Sequence, residues 1–263
     1  MKNKFTLDLK KQAGIITGAA AGMGKAIAER LAEDGASLVL ADINEDALGK
    51  IHNDFSASSD NIIFQKADVT KEDDVSKMIE SCIDSYSKID FIVSNAGIVG
   101  PYDFEETSGS DWDNVFAVNT KAGFLCAKYA LPYMKKQKKG RIIFNSSTNG
   151  GKPGGYVIAY RSSKAALIML ARSLALNAAP YGITVNTVCP GVTMTPMQRK
   201  LTESLISGKG QTFEEYVAQR EKRVPMGRFT DVHDIADMVE FLISDNAQFV
   251  TGQALYVNGG EWS

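Results

Sequence analysis

The chain is poor in the residues from which metal centres and disulfide frameworks are built. Its 263 residues include two histidines, His52 and His233, and three cysteines, Cys82, Cys126 and Cys189, all far apart in sequence. Isolated thiols in odd number exclude a disulfide scaffold and fit a reducing, cytoplasmic compartment. With so few ligands, neither a metal site nor a histidine-dependent triad is expected. Charge of one sign is scarce too: 29 Lys and Arg stand against 31 Asp and Glu, a formal net charge of −2. That balance argues against nucleic acid as a partner. One basic cluster, Lys135-Lys136-Gln137-Lys138-Lys139, reads as a solvated helix C-terminus favoured by the helix dipole. No apolar run approaches a membrane span, and Met1-Lys2-Asn3-Lys4-Phe5 is charged without an apolar signal-like core, so no membrane association is expected. Linkers rich in proline, glycine and serine, or charge are missing as well, and residues 1–263 are read as a single domain.

What the chain does have is alternation. Short β-branched runs at 14–17, 37–40, 62–64, 91–93, 141–144, 183–188 and 254–257 are separated by stretches of helical periodicity. Near-continuous apolar strands between helices predict a parallel sheet buried on both faces, hence a doubly wound α/β fold with helices on both sides. Met23, Ile27 and Leu31 mark the buried stripe of the first helix, which should end at Gly35. Thr70 with Asp73 reads as a capping box opening a helix near Lys71. In such folds ligands bind beyond the C-terminal ends of the strands.

The residues suited to chemistry fall at those ends. Thr17-Gly18-Ala19-Ala20-Ala21-Gly22-Met23-Gly24 joins the first strand to the first helix. Glycines there allow a tight turn and let backbone N–H groups approach a pyrophosphate. Asp42, at the end of the second strand, stands where a carboxylate accepts both hydroxyls of an adenosine ribose and repels a 2′-phosphate. Neither Ala19-Ala20-Ala21 nor Ile43 offers a cation for that phosphate, so NAD is expected over NADP. Tyr160 and Lys164 share one helix face, where an ammonium beneath a phenol favours the phenolate. Moving a tyrosine from its usual value near 10 to near 7 takes roughly 4 kcal/mol of differential stabilisation.

Gly18, Gly22 and Gly24, then Asp68-Val69, Asn95-Ala96-Gly97, Asn119, Ser147, Tyr160 with Lys164, and Pro190-Gly191 followed by Thr195 form an ordered set. In that order and spacing the chain resembles the short-chain dehydrogenase/reductases over essentially its whole length. The resemblance implies a Rossmann-type sheet of seven strands, a nicotinamide cofactor and a homotetramer. It implies that Tyr160 is the general acid/base and that Lys164 lowers its pKa and binds the nicotinamide ribose. Ser147 would hydrogen-bond the substrate oxygen, and Asn119 would hold a water linking Lys164 to solvent. By the same resemblance Asp68 meets the adenine, Asn95 the adenosine-side ribose region, and Pro190, Thr193 and Thr195 the nicotinamide amide. Two positions depart from the family pattern: Ser94 replaces the first residue of the usual Asn-Asn-Ala-Gly, and Thr193 stands where an apolar residue is common.

On the family layout, residues 148–157 and a small lid at about 194–228 line the substrate pocket. Asn149 and the neighbouring glycines favour a polar substrate, a small secondary alcohol, diol or polyol, and no basic patch is evident near them. The expected activity is NAD-dependent interconversion of a secondary alcohol and its ketone. The alternatives are a 3-oxoacyl thioester reductase, against which Asp42 speaks, and a catalytically silent nucleotide-binding interaction protein, against which the complete Asn119, Ser147, Tyr160 and Lys164 set speaks. A nucleotide-sugar epimerase would usually need a larger C-terminal substrate domain than the 99 residues after Lys164.

Overall fold

The structure, a computed structural model, describes residues 8–55, 61–207 and 210–261. Seven strands form one parallel sheet: β1 (Ala13–Thr17), β2 (Ser37–Asp42), β3 (Ile62–Lys66), β4 (Phe91–Ser94), β5 (Gly140–Asn145), β6 (Ile183–Pro190) and β7 (Ala254–Val257). Their order is β3-β2-β1-β4-β5-β6-β7. The chain winds outward from β1 to β3, returns to pair β4 with β1, and winds outward the other way. The loops after β1 and β4 therefore diverge, and the crevice between them is where a doubly wound sheet receives its ligand.

Successive strand residues point to opposite faces, and both faces are buried. Ile16, Leu38 and Leu40 face a layer made by α1 (Gly22–Glu33), α2 (Glu45–His52) and α9 (Val232–Ile243), through Ile27, Leu31, Leu48 and Val239. Ile15, Val39 and Ala41 face the opposite layer, made by α3 (Glu72–Tyr86), α5 (Ala122–Gln137) and α6 (Ile158–Ala178), through Met78, Leu125 and Leu167. Each fully buried Leu or Ile contributes about 2 kcal/mol. Two-sided burial explains why the strands read as apolar runs rather than alternating ones.

Three short helices complete the chain: α4 (Gly109–Phe116) before α5, and α7 (Pro196–Ile206) and α8 (Phe213–Glu221) between β6 and α9. Helix α1 ends as expected, with Asp34 at the cap and Gly35 at φ +89°. The Thr70 capping box does not form. The N-cap of α3 is Lys71, without a side-chain cap, because the Thr70 hydroxyl donates instead to Asp68 Oδ1 at 2.7 Å. Among the described residues no helix is long and apolar enough to cross a membrane.

Candidate active site

The turn after β1 is built around contacts only glycine permits. Gly18 (φ +63°) and Gly22 (φ +55°) adopt left-handed backbone, and a Cβ on Gly24 would lie 2.0 Å from the Gly18 carbonyl oxygen. Asn95, just past β4, braces the turn by donating to the carbonyls of Thr17 (3.0 Å) and Gly18 (3.1 Å). In return the buried Thr17 hydroxyl accepts from the backbone N–H groups of Asn95 and Ala96. Helix α1 has no side-chain cap and no acidic residue in its first turn, so its leading N–H groups stay available to an anion. The cradle and the bare helix end fit a dinucleotide pyrophosphate. Thr195 closes the far side: its Cγ2 would be 3.1 Å from a Cβ on Gly22.

Beside the turn, Asp42 Oδ2 accepts from the Ala20 N–H at 3.0 Å and Oδ1 from the Asn44 N–H at 2.9 Å. Ile43 is exposed. Asp68 accepts from both the hydroxyl and the N–H of Thr70, and the hydroxyl bond foremost holds its carboxyl below the usual range. Val69 is buried next to it. Across the switch point, a Cβ on Gly97 would lie 3.1 Å from Asn119 Oδ1 and 3.3 Å from the Lys164 ammonium, so those two polar groups flank one small gap.

Asn119 is carried by a π-type turn at 117–121 between α4 and α5, an irregularity often found at functional sites. It is buried: Oδ1 accepts from the Ile98 N–H at 2.8 Å, and Nδ2 donates to the Ile98 carbonyl and to Ser163 Oγ, each at 2.9 Å. Ser163 Oγ in turn donates to the Tyr160 carbonyl at 2.7 Å, which ties α6 to this amide.

Ser147 follows β5, its hydroxyl accepts from the Asn149 N–H at 3.1 Å, and it lines the same cavity as the Tyr160 phenol. The Lys164 ammonium lies 5.7 Å from the Tyr160 ring centroid and donates to the Asn145 carbonyl at 2.7 Å. Burial pushes Lys164 down to about 8 and pushes the Tyr160 phenol up, with the nearby Ser147 hydroxyl opposing the latter. The lowering of Tyr160 by Lys164 expected from the helix spacing is therefore not what dominates here. Sharing a helix face brings the two groups together, but desolvation disfavours the charged form of each.

Asn145 was not apparent from sequence. Besides its carbonyl's role, its Nδ2 donates to Asn95 Oδ1 at 2.7 Å, linking the glycine turn to the lysine, while its own Oδ1 is buried without a hydrogen-bond partner among the described residues. The available signal was an amide ending an otherwise apolar strand. Thr148 ties the next loop to β6 by donating to the Pro190 carbonyl at 3.0 Å. Thr193 bridges to Thr230, and Thr195 caps α7 by accepting from the Gln198 N–H.

Ser147, Asn149, Tyr160, Met23, Pro190, Thr193 and Thr195 line one cavity of about 330 Å³, whose outer wall comes from α7 and α8. Gly18, Asp42, Asp68 and Asn95 lie outside its lining, at the C-terminal ends of the strands and in the loops that follow them. The expectation of no basic patch near the pocket is corrected by the structure: Lys152, Arg161, Arg220 and Arg223 also line the cavity.

A family profile described as enoyl-(acyl carrier protein) reductase matches residues 18–261. The chain belongs to the short-chain dehydrogenase/reductase family. It is 36% identical over 254 residues to the (2S)-[(R)-hydroxy(phenyl)methyl]succinyl-CoA dehydrogenase subunit BbsD of Thauera aromatica, covering 97% of this chain and 98% of that one. An NAD+-bound xylitol dehydrogenase superposes with a TM-score of 0.89 at 32% identity, covering 98% of this chain and 100% of the other. A variant of actinorhodin polyketide ketoreductase with NADPH gives 0.91 at 29% identity over 97% and 99%. The protein is thus an oxidoreductase of this family, acting on a small molecule with a nicotinamide cofactor.

Proposed function

We propose that this member of the family is an NAD-dependent dehydrogenase that interconverts a secondary alcohol and its ketone. The observation that carries the reading is the convergence of Ser147 and Tyr160 on one cavity, with the Lys164 ammonium 5.7 Å from the ring centroid and the glycine cradle alongside. In the oxidative direction the Tyr160 phenolate takes the alcohol O–H proton while hydride leaves the substrate carbon. The nicotinamide, when bound, supplies the acceptor for that hydride. Ser147 donates a hydrogen bond to the substrate oxygen, and Asn149 faces the same space. A Lys164 pKa of about 8 leaves the ammonium charged at neutral pH, where it offsets the phenolate and holds the nicotinamide ribose. Asn119 keeps α6 in place through Ser163, and the second lone pair of its Oδ1 can hold a water beside Lys164.

On the same reading Gly18, Gly22, Met23 and Gly24 hold the pyrophosphate, Asp42 and Ile43 the adenosine ribose, and Asp68 and Val69 the adenine. Asn95, Ala96 and Gly97 line the stretch between, and Pro190, Thr193 and Thr195 hold the carboxamide. NAD is preferred because Asp42 sets a carboxylate beside the glycine turn, while Lys66, its register partner on β3, is paired with Glu45. Helices α7 and α8, within 194–228, form a lid over the cavity. A homotetramer is supported by Phe124, Met169 and Leu176, exposed on α5 and α6; Trp262, an aromatic that a partner subunit would suit, lies outside the described residues. A 3-oxoacyl thioester reductase is the second reading, supported by the family description and by the thioester in the Thauera enzyme's name, and opposed by Asp42.

The test is NADH formation across secondary alcohols, diols, polyols and hydroxy acids, with Tyr160→Phe in parallel. Loss of roughly 10²–10⁴-fold in kcat on that substitution supports the acid/base role, and undiminished turnover removes it.

A further inference from the structure

The cavity presents charge of one sign inside a chain whose overall balance is slightly negative. Four cationic side chains, Lys152, Arg161, Arg220 and Arg223, line it against one carboxylate, Glu261, while the chain's formal net charge is −2. Two of the four are committed to the protein. Arg161 donates to the carbonyls of Lys152 (2.8 Å) and Tyr156 (3.0 Å) and lies over the Tyr156 ring at 5.0 Å. Arg220 faces Glu261 at 3.8 Å. For the Lys152 ammonium and the Arg223 guanidinium the structure gives no ion pair and no hydrogen bond among the described residues. Lys152 is nevertheless fixed in place: its N–H donates to the Thr148 carbonyl at 3.1 Å, and its carbonyl is held by Arg161. Its side chain thus springs from a braced backbone five residues from Ser147.

Like charges gathered around a concave, partly desolvated site repel one another, and an anion there relieves the repulsion and is drawn in by the focused field. The rest of the wall suits a flat or apolar body. Tyr102 and Tyr156 stack with centroids 4.9 Å apart and planes 9° apart, and Tyr216 and Phe229 join them.

We propose that the substrate is a small hydroxy or keto acid: a secondary alcohol or ketone on an apolar body whose oxyanion group, a carboxylate or its sulfonate equivalent, is held by Lys152 and Arg223. This deepens the dehydrogenase reading and rests on it for the location of the reacting carbon. The two cations reach the acid group in alcohol and ketone alike, so they act on binding and leave the chemical step alone.

The experiment pairs each hydroxy acid with its uncharged primary amide. It measures kcat and KM with NAD, and also dissociation constants from quenching of the fluorescence of enzyme-bound NADH, in the unaltered enzyme and in Lys152→Gln with Arg223→Gln. Charge-assisted hydrogen bonds of ordinary strength predict that the acid binds roughly ten- to hundredfold more tightly than its amide. That advantage shrinks with added salt and disappears in the double variant. Equal binding of acid and amide, or an advantage that survives the double substitution, overturns the proposal. So does a preference for acyl-coenzyme A over an uncharged acyl thioester that the same substitutions abolish, because the anion would then belong to the thioester carrier. The two ideas fail separately. Charge discrimination in binding without NADH formation from any alcohol sinks the dehydrogenase reading, and NADH formation without charge discrimination sinks the acid site.

Discussion

Lys164 is a buried cation, and its environment makes a linkage prediction that is independent of turnover. Burial lowers its pKa from 10.5 to about 8. Below pH 8 both the folded and the unfolded chain carry the ammonium, and the folded protein bears the full desolvation penalty. Between pH 8 and 10.5 the unfolded chain binds more protons than the folded one, so stability rises with pH; above 10.5 both forms are neutral and the penalty is gone. The interval corresponds to roughly 3 kcal/mol. Lys164→Met removes the titrating group, along with its bond to the Asn145 carbonyl, whose loss shifts the variant by a constant that does not depend on pH. Tyr160 and Cys189 interact electrostatically in the same cluster, and burial pushes both up, so the comparison belongs in a Tyr160→Phe, Cys189→Ala background. Urea unfolding from neutral pH to 10.5 should show the lysine protein gaining about 3 kcal/mol on the methionine variant. A difference that stays flat across that range would mean that the ammonium is well solvated and that its burial is misjudged.

Asp42→Ala should raise the KM for NAD by roughly ten- to hundredfold, by removing charge-assisted bonds to the ribose, and should narrow the preference over NADP; unchanged constants for both cofactors would remove Asp42 from the ribose site. Gly24→Ala forces a Cβ to within 2.0 Å of the Gly18 carbonyl oxygen, so the turn must open. Calorimetry should then show a loss of about 1–3 kcal/mol with NADH binding abolished, and retained NADH affinity would mean that the cradle is not the pyrophosphate site. Native mass measurement should give four chains, and Leu176→Asp with Met169→Asp should yield smaller species; a monomer in the unaltered protein refutes the tetramer.

Much of the fold could be read because burial on two faces leaves a simple trace. A strand covered by helices above and below has no polar face, and all seven runs were apolar enough to stand out between helical stretches. The misreadings came where a side chain had a choice of partners. Thr70 has the right type and spacing for a cap, yet the Asp68 carboxylate two residues earlier offers its hydroxyl a stronger, charge-assisted bond. The capping boxes that do form, Ser108 with Asp111, Thr212 with Glu215 and Asp231 with Asp234, have the same kind of spacing; Ser108 also follows an acid by two residues, Glu106, yet its hydroxyl donates to Asp111 Oδ2 at 2.6 Å. Asn119 carries the same lesson. Its place in the family order marked it as important, but only the π-type turn shows that the amide is spent on Ile98 and Ser163.

The cofactor side of the site and the substrate side differ in legibility for a topological reason. A pyrophosphate cradle lies within one turn, so Gly18, Gly22 and Gly24 signal it together. The pocket wall is drawn from segments that meet only after the sheet is formed. Lys152 comes from the loop after β5, Arg161 from the first turn of α6, and Arg220 and Arg223 from α8 and the residues after it. No two of them are adjacent in sequence; Arg220 and Arg223 share a short mixed run, Arg220-Glu221-Lys222-Arg223, but the longest basic run is Lys135–Lys139. Part of that cluster is neutralised elsewhere: Lys135 donates to Asn177 and stacks over Tyr181, and Lys139 pairs with Asp245. The longest basic run therefore lies away from the pocket, whereas cations from three separate segments converge on it. Specificity in this fold is set by loops and short helices returning from different strands to one crevice, so the class of reaction is written locally and the charge of the substrate is not.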